Sequence, residues 1–180
     1  MLQTQAAAGC SPQEVLERVN RLICGNNKER MFITVWFGIL DLNTGCLTAA
    51  NAGHEYPILK TPDGEYALVK DRHGFVLGGK KGMKYKDYTL TMAPGARLFV
   101  YTDGVAEAMN ADRELFGIDR TLQALNAAKD ASPAEVLRSV DEAVARFVSG
   151  AEQFDDLTMM CVEYRGKAET EGGGHDGTDG

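Results

Sequence analysis

The stretch Ala93–Met109, which reads APGARLFVYTDGVAEAM, decides how the rest of the chain is interpreted. Its Pro-Gly pair predicts a turn, and the apolar run Arg97–Tyr101 that follows predicts a buried strand. Asp103 and Gly104 end that strand, and a helical pattern begins at Val105. An acidic residue therefore stands at the mouth of a core strand, beside a glycine that lets the backbone turn sharply.

Taken alone, Asp103 is more simply a turn former or a helix N-cap, because Asp-Gly is common turn punctuation. A second acidic stretch, Phe154–Thr158 (FDDLT), also adjoins an apolar strand, and the two stretches together favour a functional site over a simple turn. Carboxylates at strand ends, without a Cys or Ser-His nucleophile in view, indicate oxygen ligands for Mg²⁺ or Mn²⁺. Two such metals can hold a hydroxide and a phosphate in line, as metal phosphatases do.

Composition limits the alternatives. The 180 residues correspond to one domain, and a net charge of -7 without a basic patch argues against a nucleic-acid partner. No cysteine pair has the spacing of a zinc site; the cysteines are Cys10, Cys24, Cys46 and Cys161. Together with the lack of a signal peptide or a long apolar run, this cysteine usage predicts a reducing, cytoplasmic location.

The order of the remaining elements favours an α+β domain with strands first and helices before and after them. Ser-Pro-x-Glu sequences at Ser11 and Ser132 predict helix starts. Tight turns predict that the early strands pair in one antiparallel meander. The predicted strands are Phe32–Leu40, Cys46–Ala50, Tyr56–Lys60, Tyr66–Val69, Tyr85–Met92 and Leu157–Tyr164.

Two further segments carry weaker signals. The glycine-rich segment Asp71–Met83 lacks the spacing and the Ser/Thr of a nucleotide P-loop, so it is interpreted as a mobile connection. Residues 165–180 are poor in apolar side chains and rich in glycine, which predicts a disordered tail.

Three motifs then suggest a family. Tyr101–Val105 (YTDGV), Phe154–Thr158 (FDDLT) and Asn51–His54 (NAGH) resemble the PPM (PP2C-like) serine/threonine phosphatases, and most closely their bacterial SpoIIE/RsbU-type branch. The resemblance extends from about Ser11 to Tyr164. It implies an αββα sandwich, in which two antiparallel sheets are flanked by helices and a two-metal cleft lies at one edge.

The resemblance also implies a site. Asp103 and Asp155 would be the catalytic metal-binding residues, Asp156 would ligate or orient, and Gly104 and His54 would lie in the cleft. His54 could act there as a general acid, although a lone loop histidine is more often structural. Water held between two Mn²⁺ or Mg²⁺ ions would attack a phosphoserine or phosphothreonine directly. By the same resemblance, the substrate would be an anti-anti-sigma (STAS) protein, and the parent chain would carry a sensor or receiver domain.

One family motif has no match, because G-D-x-x-G, whose Asp bridges both metals, is absent from the sequence. Residues 1–164 are therefore interpreted as an N-terminally truncated phosphatase domain with its first strands missing and an incomplete metal pair. Missing strands would expose sheet edges and favour a homodimer, and the absent part could anchor the parent protein in a membrane. A catalytically inactive remnant that binds a partner is the main alternative. A receiver-like phosphoacceptor at Asp103 is a third, which the predicted meander disfavours.

Overall fold

The computed structural model describes residues 9–71, 73–150 and 156–167. The helices are α1 (Pro12–Asn26), α2 (Asp103–Ala106), α3 (Gly117–Ala127) and α4 (Pro133–Val148). The strands are β1 (Val35–Leu40), β2 (Cys46–Ala52), β3 (Ile58–Lys60), β4 (Tyr66–Leu68), β5 (Tyr88–Thr91), β6 (Arg97–Tyr101) and β7 (Met159–Glu163). No helix in the described ranges is long and apolar enough to cross a membrane.

Both Ser-Pro-x-Glu sequences begin helices, as predicted. In α1 the Ser11 hydroxyl accepts a hydrogen bond from the Glu14 amide, and the Glu14 carboxylate accepts one from the Ser11 amide. Ser132 and Glu135 make the same reciprocal pair at the start of α4. Each pair satisfies amide groups that a helix start otherwise leaves without partners.

The strands form two antiparallel sheets, with the orders β1-β2-β5 and β4-β3-β6-β7. Helix α1 packs on the first sheet, and α4 packs on β7 of the second. Between the sheets lies an apolar layer that includes Leu47 and Met92 from one side and Leu98 from the other. Phe99 of β6 is fully buried in a second cluster with residues of α3 and α4. This layered arrangement confirms the predicted α+β sandwich.

The predicted single meander is wrong, because β2 and β3 belong to different sheets. The hairpins β1-β2 and β3-β4 form as expected. Between them, residues 53–57 contain no tight hairpin turn, and Gly53 has a left-handed φ of 75°. The connection carries the chain across the sandwich, so that each sheet buries its own apolar face.

The helix after Asp103 is short. It starts at Asp103 and ends at Ala106, because residues 108–116 return to the core. The Phe116 amide donates to the Ala108 carbonyl, and the buried Phe116 ring anchors the return. The glycine-rich segment is fixed on α1, since Asn20 accepts a hydrogen bond from the Gly78 amide.

Candidate active site

Asp103 lies where the central strand β6 passes into the short helix α2. Thr102 precedes it with extended backbone angles and serves as the N-cap residue. The Asp103 side chain is exposed, and its Oδ1 accepts a hydrogen bond from the amide of the buried Gly104 at 3.1 Å. One carboxylate oxygen is thereby held by the backbone, and the carboxylate stays accessible at the sheet edge.

Thr102 ties the end of β6 to the start of β7. Its amide donates to the Thr158 carbonyl at 3.0 Å, and its Oγ1 accepts from the Thr158 amide at 3.2 Å. The same Oγ1 donates to the Asp156 carbonyl at 3.2 Å. The antiparallel pairing of β6 with β7 therefore places Asp103 and Asp156 at one edge of the sheet. Asp155, the other predicted ligand, lies outside the described residues.

His54 follows β2, and the Asn51 side chain organises its backbone. Asn51 Oδ1 accepts from the His54 amide at 2.8 Å, and Asn51 Nδ2 donates to the His54 carbonyl at 3.1 Å. The half-buried His54 ring places Nδ1 3.3 Å from Thr34 Oγ1. Burial lowers the pKa of His54, the negative charge of Asp103 partly opposes this, and His73 lowers it further. The pocket therefore favours a neutral imidazole beside Asp103.

Glu55 was not singled out by the sequence, yet it belongs to the same edge. Its carboxylate lies near the Tyr101 hydroxyl at the end of β6. Burial raises the pKa of Glu55, and the negative charges of Asp103 and Glu107 raise it further. No sequence motif indicates that Glu55 and Tyr101 are neighbours, because the connection between the two sheets brings them together.

The side chains at this edge are of the chemical type that binds divalent metals. Asp103, Glu55, Glu107 and Asp156 offer carboxylate oxygens, the ligands that Mg²⁺ and Mn²⁺ prefer. The charges of Asp103 and Glu107 lie close enough to raise the pKa of Glu55, and a bound cation would relieve this repulsion. Within residues 9–71, 73–150 and 156–167, no three His, Cys, Asp or Glu side chains are grouped closely enough to hold a metal ion.

Comparison with known proteins gives a family match. The family model of Stage II sporulation protein E (SpoIIE) matches residues 1–165. Protein IcfG of Synechocystis sp. (strain ATCC 27184 / PCC 6803 / Kazusa) is 34% identical over 135 residues, which are 75% of this chain and 21% of IcfG. Phosphoserine phosphatase RsbU of Bacillus subtilis (strain 168) is 28% identical over 99 residues, 55% of this chain and 30% of RsbU. The chain thus spans less than a third of either relative.

Solved structures share the fold. The RsbU and RsbW domains of Rv1364c from Mycobacterium tuberculosis superpose with a TM-score of 0.75 at 24% identity, covering 93% of this chain and 46% of that one. The manganese-presoaked phosphatase domain of Bacillus subtilis SpoIIE gives a TM-score of 0.64 at 16% identity, covering 94% and 73%. RsbX in complex with magnesium gives 0.59 at 18% identity, covering 87% and 66%. These likenesses confirm the PP2C-like fold.

Proposed function

The chain belongs to the SpoIIE family of PPM-type serine phosphatases, and on that premise we propose that it hydrolyses phosphoserine or phosphothreonine on a regulatory protein. The observation that carries the proposal is the pairing of β6 with β7, which brings Asp103 and Asp156 to one sheet edge. The same edge holds His54 and Glu55 in a partly buried setting.

In this proposal Asp103, Asp155 and Asp156 bind Mn²⁺ or Mg²⁺. Manganese and magnesium in the two solved structures of the same fold support that choice of metal. When bound, the metal pair would supply an activated water and neutralise charge on the phosphoryl group. Gly104 permits the close turn after β6, and its amide holds one oxygen of Asp103.

His54 has a separate part in the proposal. Its pKa is lowered by burial, so its ring is neutral near pH 7 and accepts or donates a hydrogen bond without adding charge. A neutral ring beside Asp103 can orient the leaving serine oxygen or a water molecule bound to that oxygen. Its Thr34 contact fixes the side of the cleft on which the ring lies.

The substrate protein is proposed from the relatives. RsbU is a phosphoserine phosphatase by name, and the Rv1364c structure joins an RsbU domain to an RsbW domain. We therefore propose a phosphorylated anti-anti-sigma (STAS) protein as the substrate and a sensor or receiver domain in the parent chain.

The test is Mn²⁺-dependent release of phosphate from a phosphoserine peptide by this chain. Asp103→Asn should abolish the release while the protein stays folded by circular dichroism. Asp63→Asn, in an exposed turn, is the matched control and should leave it unchanged. A folded chain with no activity above the Asp103→Asn background would contradict the proposal and favour a partner-binding remnant.

A further inference from the structure

The backbone at His54 is held by one buried side chain. Asn51 is only 2% exposed, and its amide group makes a hydrogen bond to each side of the His54 peptide backbone. Its Nδ2 also lies 3.2 Å from Oδ2 of Asp71, which is 20 residues further along the chain. The hydrogen bonds that the structure gives to the Asn51 amide group therefore all go to the His54 backbone and to Asp71.

Asp71 is a buried carboxylate, since its side chain is 1% exposed. Beyond Asn51, its Oδ1 lies 3.2 Å from His73 Nε2 without a hydrogen-bond partner in the described part of the chain, and the Tyr88 hydroxyl lies near the same carboxylate. Tyr88 in turn accepts a hydrogen bond from Trp36 Nε1 at 2.7 Å. Because a buried carboxylate is costly without donors, the hydrogen bond from the Asn51 amide matters to Asp71, and it ties this carboxylate to the His54 loop.

The backbone of the same segment is docked against the end of β2. The Gly74 amide donates to the Asn51 carbonyl at 2.7 Å, and Gly74 forms a parallel bridge with Ala52. A Cβ atom at Gly74 would lie 2.4 Å from the Tyr85 ring and 2.9 Å from the Asn51 carbonyl oxygen. Only glycine lets the chain approach this closely, so the position of Asp71 relative to Asn51 is set by the fold.

We propose that Asn51 and Asp71 are positioning residues that hold the His54–Glu55 backbone beside Asp103. In this proposal neither residue contacts the reacting phosphate or the metals. They act by fixing the one loop that carries His54 and Glu55 to the edge where β6 ends. This inference rests on the proposed function for the catalytic role of the loop. The hydrogen bonds that hold the loop are independent of the proposed function.

The first test exchanges the two side chains. Asn51→Asp keeps the acceptor for the His54 amide but places two carboxylates face to face. We expect amide hydrogen exchange at His54, followed by NMR on the whole chain, to quicken about tenfold, the equivalent of one weakened hydrogen bond. In Asn51→Asp with Asp71→Asn, the position-71 amide donates to the position-51 carboxylate, and exchange should return to near its original rate.

Two comparisons make this result specific. Asn43→Asp, in the exposed turn between β1 and β2, makes the same chemical change and should leave His54 exchange unaltered. The amide of Ile58 in β3 should keep its exchange rate in every variant, because a general loss of stability would quicken it as well. Unchanged exchange at His54 in Asn51→Asp, or no recovery in the double variant, would overturn the proposal.

Catalysis supplies the second readout. In the phosphoserine peptide assay, Asn51→Asp should lower kcat with little change in KM, and the double variant should recover kcat. If exchange at His54 quickens while kcat stays the same, the positioning role is refuted. If the unaltered chain has no Asp103-dependent activity, the proposed function fails by itself, and the exchange data still decide whether the pair holds the loop.

Discussion

At the scale of single residues, Glu55 carries a charge that its surroundings oppose. Burial and the nearby carboxylates of Asp103 and Glu107 raise its pKa above the usual 4.5. Its ionised form is therefore less stable in the folded chain than in the unfolded chain. The folded state loses stability from this group as pH rises from about 4.5 through the raised pKa, and the loss persists at neutral pH.

Glu55→Gln should accordingly stabilise the metal-free protein at pH 7. Glutamine keeps a polar group near Tyr101, while the opposed charge is gone. Because Glu55 is only partly buried and solvent screens it, we expect Tm to rise by about 1–2 °C. Thermal unfolding followed at pH 7 and at pH 4 checks the sign, since the advantage should shrink at pH 4. The exposed Glu114→Gln is the control, and an equal gain there would refute the explanation.

His54 gives the opposite dependence on pH. Burial lowers its pKa below 6.5, so the unfolded chain binds a proton more readily than the folded chain. Stability from His54 is therefore present above about pH 6.5 and is lost as pH falls through the lowered pKa. His54→Gln should remove this part of the pH dependence of Tm between pH 7 and 5. NMR titration of the His54 ring checks the cause directly, and a midpoint at or above 6.5 would contradict it.

The sequence could predict only part of this residue-scale arrangement. Asp103, Asp156 and His54 stand in short motifs, so local patterns were enough to select them. Glu55 and the Asn51–Asp71 pair were not selected, because their significance arises from contacts between distant segments. No local pattern records that Asp71 is buried, since the Gly-rich segment around it has the composition of an exposed loop.

At the scale of elements, the β1-β2 turn depends on one glycine. Gly45 has φ of 72°, and a Cβ atom there would lie 2.2 Å from the Met92 carbonyl oxygen. Gly117 has φ of 75° with nothing within 4 Å of a built Cβ. Gly117→Ala should therefore cost about 1 kcal/mol of backbone strain, and Gly45→Ala clearly more, because backbone must also move. Urea unfolding of both variants tests this, and equal losses would show that the steric contact is unimportant.

The start of α4 offers a second test at this scale. Ser132 caps the helix and exchanges hydrogen bonds with Glu135, whose pKa is lowered by these same bonds. Ser132→Ala should cost about 1 kcal/mol, or a fall in Tm of about 2–4 °C. Ser132→Asn is the matched control, because asparagine caps equally well and should keep most of the stability. A loss in both variants would mean that the hydroxyl matters for another reason.

The sequence predicted the elements better than their connections. Capping signals and apolar runs are local, and they identified helices α1 and α4 and nearly every strand. The crossing from β2 to β3 was predicted as a further hairpin, because residues 53–57 contain no local signal for a change of sheet. Strand β3 joins the second sheet because it pairs with β6, which lies far from β3 in the sequence.

At the scale of the whole molecule, metal binding and folding should be linked. If Mn²⁺ binds at the edge formed by Asp103 and Asp156, it binds the folded chain and not the unfolded one. A concentration about 100 times Kd would then add about 2.7 kcal/mol to the free energy of unfolding. It would also neutralise the repulsion that raises the pKa of Glu55, so the gain should be larger at pH 7 than at pH 5.

Thermal unfolding with and without Mn²⁺ tests this linkage without requiring activity. The unaltered chain should show a Tm that rises with Mn²⁺ concentration by several degrees, about 5–10 °C near 100 times Kd. Asp103→Asn should unfold at a similar or slightly higher Tm without metal, since one repelling charge is removed, and should gain little from Mn²⁺. Asp63→Asn should respond like the unaltered chain. An equal gain in all three proteins would place Mn²⁺ elsewhere on the acidic surface, and the sheet edge would lose its assignment as the metal site.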